Sequence, residues 1–308
     1  MHTVQRPLFF LLILLSATPW CGPATALTIG IFFSLLVGNP WPKESTNWSK
    51  KLLQLSVVGL GFGVGIADVW HAGREAVLFT PISIAATVAA GLLVGRILRT
   101  PFRTSVLISF GTAICGGSAI AAMAPVINAD DEEIAVSLAT VFSLNAAALL
   151  LFPPLGHLFG LSERQFGLWA ALAIHDTSSV VGATSAFGVS ALAIGTTVKL
   201  ARAVWIAPAA LLASRFTHSQ TKTGIPLFII GFIIAATVRS LIPSMSHTWH
   251  VFAVIARQGL VVTLFLIGTG LSREVLNRVG IRPLAQGIIL WLVVCAAMLA
   301  VISEGIIR

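Results

Sequence analysis

Residues 166–187 read FGLWAALAIHDTSSVVGATSAF, an apolar stretch interrupted at its centre by His175-Asp176-Thr177-Ser178-Ser179. The stretch is as long as a helix must be to cross a hydrocarbon layer of about 30 Å. Its interruption does not suit a continuous helix. Asp, Ser and Thr side chains hydrogen-bond nearby backbone groups, which favours a helix N-cap over a helix interior. The segment therefore fits a discontinuous helix, with two half-helices meeting inside a membrane. A half-helix N-terminus presents unpaired N–H groups and a partial positive charge, and such an end attracts anions.

The remainder of the chain agrees with a membrane setting. Of 308 residues, 56% are hydrophobic and 10% are charged, and the mean hydropathy is +0.95. A soluble domain has roughly a quarter of its residues charged, so an ordinary globular enzyme is excluded. The net charge of +8 would suggest nucleic acid in a soluble protein. Here it reports topology, and no nucleic-acid partner is expected. Cys21, Cys115 and Cys295 lie far apart without CxxC spacing, so neither a disulfide framework nor a metal site is indicated.

Apolar stretches occur at 8–21, 24–38, 52–67, 77–95, 105–127, 134–152, 166–187, 190–214, 226–242, 251–271 and 284–303. They predict an all-α polytopic protein of about 11 transmembrane helices. The first two are short and are flanked by Trp20 and Trp41. Residues 1–26 have a second reading as a signal peptide, with Arg6, an apolar run from Leu8, and Ala24-Thr25-Ala26 resembling a cleavage site.

Basic residues give the orientation. With a cytoplasmic N-terminus, the inside carries Arg6, Lys43, Lys50, Lys51, Arg96, Arg99, Arg103, Arg164, Arg215, Lys222, Arg273, Arg278 and Arg282. The outside carries Arg74, Arg239 and Arg308, with the acidic run Asp130-Asp131-Glu132-Glu133. The N-terminus is thus expected inside and the C-terminus outside, in a bacterial inner membrane. An odd number of spans suits one extra helix at 1–23 and two five-helix units of opposite orientation, at about 24–153 and 166–303, as in inverted-repeat transporters. No sequence similarity joins the halves, so this repeat rests on topology. The polar connection 215–225 is too short to be a domain, and a single transmembrane domain is expected.

Three features share the centres of their spans. They are Cys115-Gly116-Gly117-Ser118, the His175–Ser179 run, and the pair Lys199 and Arg202. Paired glycines weaken a helix by about 1 kcal/mol each relative to Ala. Gly116 and Gly117 read equally as a helix break or as a close-packing surface. A charge at the bilayer centre costs about 2.5–3.5 kcal/mol on insertion scales. Asp176, Lys199 and Arg202 should therefore face the protein interior and one another. Lys199 and Arg202, three residues apart, share a helix face. Pairing one of them with Asp176 leaves a positive surplus suited to an anion, while a static ion-pair network that locks helices together is the competing reading. Arg257, beside Gln258 and Gly259, reads as an arginine snorkelling outward, or as a matching break. Asn145 either bonds across helices or lines a cavity.

Other patterns fail. Gly59–Gly65 lacks the GxGxxG register and lies in a span, so Gly61 and Gly65 suit helix packing. Gly116–Ile120 lacks the second glycine of a nucleophile elbow. No GxxxxGK[ST] is present. Asn47-Trp48-Ser49 is a sequon by pattern, on the inside. His175, Asp176 and Ser178 are too close in sequence for triad geometry. Neither catalysis nor a cofactor is expected.

These residues resemble the YeiH-like family of bacterial inner-membrane proteins, named as sulfate exporters. The resemblance is carried by Ile114-Cys115-Gly116-Gly117-Ser118-Ala119-Ile120, Ala124-Pro125-Val126-Ile127, Ala173–Val181 and Val198-Lys199-Leu200-Ala201-Arg202. Some relatives have Glu after the His, where this chain has Asp176-Thr177. The resemblance implies a fold related to the bile-acid and arsenite transporter group, with inverted five-helix repeats and crossing broken helices.

Together, the residues and the resemblance give a secondary transporter of a small anion, sulfate first, working by alternating access of helix bundles. Gly116, Gly117, Ser118, His175, Thr177, Ser178 and Ser179 would bind the anion, and Lys199 and Arg202 would supply counter-charge. Asp176, with His175, would carry a coupling H⁺ or Na⁺. The alternative is a cation/proton antiporter with Asp176 as ion ligand, and a receptor or scaffold without transport is a third class. The expected partners are the lipid bilayer and, from fold analogy alone, a second copy in a homodimer.

Overall fold

The computed structural model describes residues 2–217, 227–270 and 280–305. Lys222, Arg273, Arg278 and Arg308, used above for orientation, lie outside the described residues, as do positions 218–225 of the polar connection and residue 271 of the tenth stretch. Among the described residues every regular element is helical. Segments long and apolar enough to cross a membrane are Phe79–Ile97, Glu132–Leu158, Val189–Ala213, Pro243–Gly268 and Ile281–Ser303. Shorter apolar helices occupy Gln5–Ser16, Thr25–Leu36 and Ile230–Leu241.

The chain forms two compact units, one of Met1–Trp70 with Pro226–Glu274 and one of His71–Ile225 with Val275–Arg308. The first unit contains α1 (His2–Ser16), α2 (Pro23–Leu36), α3 (Pro42–Gly61), α12 (Leu227–Leu241) and α13 (Ser246–Gly268). In it, α1, α2 and α3 pack on α13, and α12 packs on α3. Small residues permit these approaches, as expected where neither helix gains by leaving lipid for the other. A Cβ at Gly61 would run into the Phe232 carbonyl oxygen and, at 2.9 Å, the Ala235 side chain. Gly63 faces Ala253 in the same way. The glycine run that imitates a nucleotide loop is thus a packing surface at these positions. Phe9 anchors an aromatic group, its ring 5.7 Å from those of Phe33, Trp41 and Phe265.

Polar side chains in this unit serve helix ends. Asn39 Nδ2 donates to the Thr269 carbonyl at 3.2 Å and its Oδ1 accepts from Trp41 N at 2.9 Å. Gln258 Nε2 donates to the carbonyls of Ser16 and Thr18, at 2.9 and 2.7 Å, closing the end of α1. α13 runs unbroken through Arg257, Gln258 and Gly259, so the matching break considered for this span does not form.

The second unit contains most of α4 (Ile66–Ile97), which carries the chain between units, then α5 (Phe102–Ala113), α6 (Gly117–Met123), α7 (Asp131–Leu158), α8 (Glu163–Ala173), α9 (Thr177–Phe187), α10 (Val189–Val204), α11 (Ile206–Thr217) and α14 (Ile281–Ser303). The stretches 105–127 and 166–187 are each split into two helices by three non-helical residues, and 190–214 is divided at the single residue Trp205 between α10 and α11. The two wider splits fall in the fourth stretch of the first five-stretch block and the first stretch of the second.

Strong caps set the helix starts. Asp130 and Glu133 form a capping box at α7, and Ser162 and Gln165 form one at α8. The acidic run is therefore a helix start as well as a topology marker, with Arg103 3.9 Å from Glu133. The Glu163 carboxylate accepts from Ser190 N at 2.7 Å and so caps the start of α10. Ser105 lies against Gly95, and Gln286 of α14 donates to Ser105 Oγ at 2.9 Å and to the Gly91 carbonyl at 3.0 Å.

A Gly61→Val substitution is expected to destabilise the first unit by about 1–3 kcal/mol through overpacking. Gly22→Ala, whose nearest neighbour would be Thr25 Oγ1 at 3.9 Å, is expected to leave the Tm in detergent nearly unchanged. Thermal unfolding of the two variants beside the native chain measures the difference.

Candidate functional site

The second unit is organised around its two interruptions. α5 ends at Ala113, Ile114 leaves the helix at φ −119° and ψ −84°, and Gly116 adopts φ +66° and ψ −123° before α6 begins. That conformation is open to glycine and strained for other residues. Space adds a second demand, since a Cβ at Gly116 would stand 3.1 Å from Asp176 Cβ and 3.5 Å from Asp176 Cα. In the other stretch α8 ends at Ala173, and Ile174 and Asp176 are extended, at φ −84° and −110°. The two interruptions lie directly against each other, so the broken helices cross at Gly116 and Asp176. Of the two sequence readings for Gly116, the structure contains both, a break and a close contact.

Each break creates orphan groups on both sides, because a helix end leaves carbonyls or N–H groups without intrahelical partners. Lys199 and Arg202 of α10 take the carbonyls. Lys199 Nζ donates to Ile174 O at 2.6 Å and Ala171 O at 3.4 Å. Arg202 Nε donates to Ala113 O at 2.6 Å and its Nη1 to Leu172 O at 3.2 Å. One residue therefore closes the C-terminal ends of both α5 and α8. Cations suit these ends, whose partial negative charge favours them by up to about 2 kcal/mol in partly buried geometry.

Asp176 takes the N–H groups. Its carboxylate accepts from Ser178 N at 2.6 Å and Ser179 N at 3.3 Å, and also from the hydroxyls of both serines. The expected ion pair with Lys199 or Arg202 is not formed; among the described residues no nitrogen of either lies within ion-pair distance of Asp176. The physical reason is that each charge meets a helix end of opposite partial sign closer than it meets the other charge. α6 starts at Gly116 with no side-chain cap.

Exposure separates the candidate residues. Lys199, Arg202 and His175 are 0%, 1% and 1% exposed, and Ser178 and Ser179 are buried on Asp176. Ser118 is exposed, while Gly117, Asp176 and Thr177 are half-buried. The open polar groups at the crossing are thus Gly117, Ser118, Asp176 and Thr177, with the two cations enclosed behind them. If ionised, these cations and the single acid leave a formal surplus of one positive charge. Sequence reasoning missed the carbonyls of Ala113, Ala171, Leu172 and Ile174, because backbone acceptors have no residue signature. It left Asn145 open; the structure puts its Oδ1 3.2 Å from the His175 backbone N–H, inside the second break.

The profile of the family described as Conserved hypothetical protein 698 matches residues 8–287. The chain belongs to this family. It is 56% identical over 300 residues to a UPF0324 membrane protein of Geobacter sulfurreducens, covering 97% of both chains. A UPF0324 membrane protein of Bdellovibrio bacteriovorus is 47% identical, with 95% of this chain and 92% of the relative covered. One from Vibrio vulnificus is 42% identical, with coverages of 97% and 98%. The names of these relatives agree with the apolar helices in specifying a membrane protein. No solved structure matches the chain.

The crossing predicts an order of stabilities. Arg202→Leu strands two buried carbonyls, each costing about 1–3 kcal/mol when unsatisfied. Asp176→Ala removes an N-cap worth about 0.5–2 kcal/mol. Asp176→Asn keeps an acceptor at that cap. The expected Tm order is native, Asp176→Asn, Asp176→Ala, Arg202→Leu, from highest to lowest, read by thermal unfolding in detergent.

Proposed function

We propose that the protein is a secondary transporter of a small anion, with sulfate or a related oxyanion as substrate, in a bacterial inner membrane. The observation that carries this reading is the pair of enclosed cations at the crossing, which have carbonyl partners and no acidic one. In a low-dielectric setting an uncompensated positive charge favours an approaching anion strongly. Lys199 and Arg202 act as a fixed field through the helix ends, and the contacts fall to Gly117, Ser118 and Thr177, which are open. Asp176, beside them, carries the coupling H⁺ or Na⁺. Taking α5/α6, α8/α9 and α10/α11 as one crossing each reduces the fourteen described helices to the eleven crossings of this reading, with the N-terminus inside. The related-fold reading, with inverted repeats and alternating access, fits interrupted helices that meet at one point.

A second reading has its own observation. Asp176 is the charged group that is half-open at the crossing, which favours a cation/proton antiporter with this carboxylate as ligand. Labelled-sulfate counterflow in proteoliposomes decides between them, since it needs no imposed gradient. Saturable exchange in the native protein, reduced severalfold in Ser118→Val, is the expected result. Folded protein that exchanges no small oxyanion, yet performs pH-driven Na⁺ exchange that Asp176→Asn abolishes, would replace the anion reading with the antiport one.

A further inference from the structure

Behind the crossing, three helical segments bring together polar atoms that the transport reading does not use. Asn145 of α7, His175 of the second break and Trp291 of α14 are 3%, 1% and 8% exposed. Asn145 Nδ2 and Trp291 Nε1 are buried with no hydrogen-bond partner in the protein, and the buried ring nitrogens of His175 make no well-formed hydrogen bond, with the Val141 backbone as a neighbour of the ring. Their positions converge. Asn145 Oδ1 holds the His175 backbone N–H at 3.2 Å, and the His175 and Trp291 rings stand 6.5 Å apart between centroids, tilted by 59°. α14 runs alongside the same part of α7. A Cβ on Gly287, one turn before Trp291, would touch Thr140 and Leu144, and Trp291 stacks at 6.1 Å on Phe152, two turns beyond Asn145.

A contrast within the same unit sharpens the point. Trp169 is also buried, also stacks on Phe152, and donates its Nε1–H to the Cys295 carbonyl at 3.0 Å. The neighbouring aromatic thus follows the general rule that buried donors find acceptors. Trp291 stacks on the same Phe152 ring as the satisfied Trp169, yet its own donor is buried without an acceptor, on a ring that stands beside His175.

We propose that Asn145, His175 and Trp291 form an internal water-binding site that supports the second break from behind. A bound water needs about two to four polar partners, and this cluster supplies donors from Asn145 and Trp291 and a donor or acceptor at each His175 nitrogen. A water there completes the hydrogen bonding of a segment that cannot complete it within its own helix. His175 then belongs to this inner site, and its role in the break is positional. The site does not depend on which ion crosses the membrane.

Radiolytic hydroxyl footprinting of the purified full chain in nanodiscs tests this, because labelling inside a buried region follows bound water. Trp291 and His175 are expected to be oxidised severalfold faster than Trp169. Asn145→Leu should slow Trp291 toward the rate of Trp169, and slow labelling of Trp169 in that variant reports an intact fold. Should Asn145→Leu fail to fold, Trp291→Phe keeps the ring stacked on Phe152 and is expected to slow oxidation of His175. Trp291 labelled no faster than Trp169 in the native chain would overturn the proposal, as would fast Trp291 labelling unaffected by Asn145→Leu.

Discussion

A helix broken in apolar surroundings leaves carbonyls on one side and N–H groups on the other, and those that are buried cannot turn to water. That constraint governs the second unit. Lys199 and Arg202 close the carbonyl ends of α8 and α5, and Asp176 closes the N–H end of α9. Unsatisfied backbone groups in hydrocarbon cost several kcal/mol each, so breaks persist only where protein groups complete them. The charges at this crossing are therefore structural before they are functional. Their uneven sum gives the crossing its electrostatic character.

Arg202 shows why the arrangement uses an arginine. Its Nε reaches the end of α5 while Nη1 reaches the end of α8. A rigid planar fork serves two acceptors at fixed relative direction, which a lysine ammonium on a flexible stem does less well. Gly116 is the complementary requirement on the other side. It supplies a positive φ and the absence of a side chain at a point where the broken helices touch. Crossing, capping and charge placement thus depend on a few residues from three stretches of chain.

The first unit is built by a different economy of contacts. Small residues let helices approach, aromatic rings fill the space around Phe9, and amides such as Asn39 and Gln258 tie helix ends to neighbouring backbone. Its stretch 52–67 is divided at residues 62–65 between α3 and α4, where Ser240 Oγ accepts from Ile66 N at 2.9 Å. Arg257 lies in a continuous helix, so a charged residue and a glycine within a span did not suffice to break it. The difference from the His175–Ser179 run is the set of side chains able to cap a new helix start.

The sequence alone determined that the chain is helical and apolar enough for a membrane, because hydropathy and helix length are local properties. It also marked His-Asp-Thr-Ser-Ser as an interruption and Gly-Gly-Ser as a break or a packing surface, since both carry conformational preferences within a few residues, but it gave no sign of the divisions at 62–65 and Trp205. Pairing was not legible. Asp176, Lys199 and Arg202 suggested an ion pair, yet each found a helix end, and backbone carbonyls leave no mark in a sequence. Nor could the sequence choose between the roles of Asn145, or foresee that Trp291, more than a hundred positions away, would stand beside His175. Those outcomes depend on which surfaces of distant helices meet, and only tertiary packing decides that.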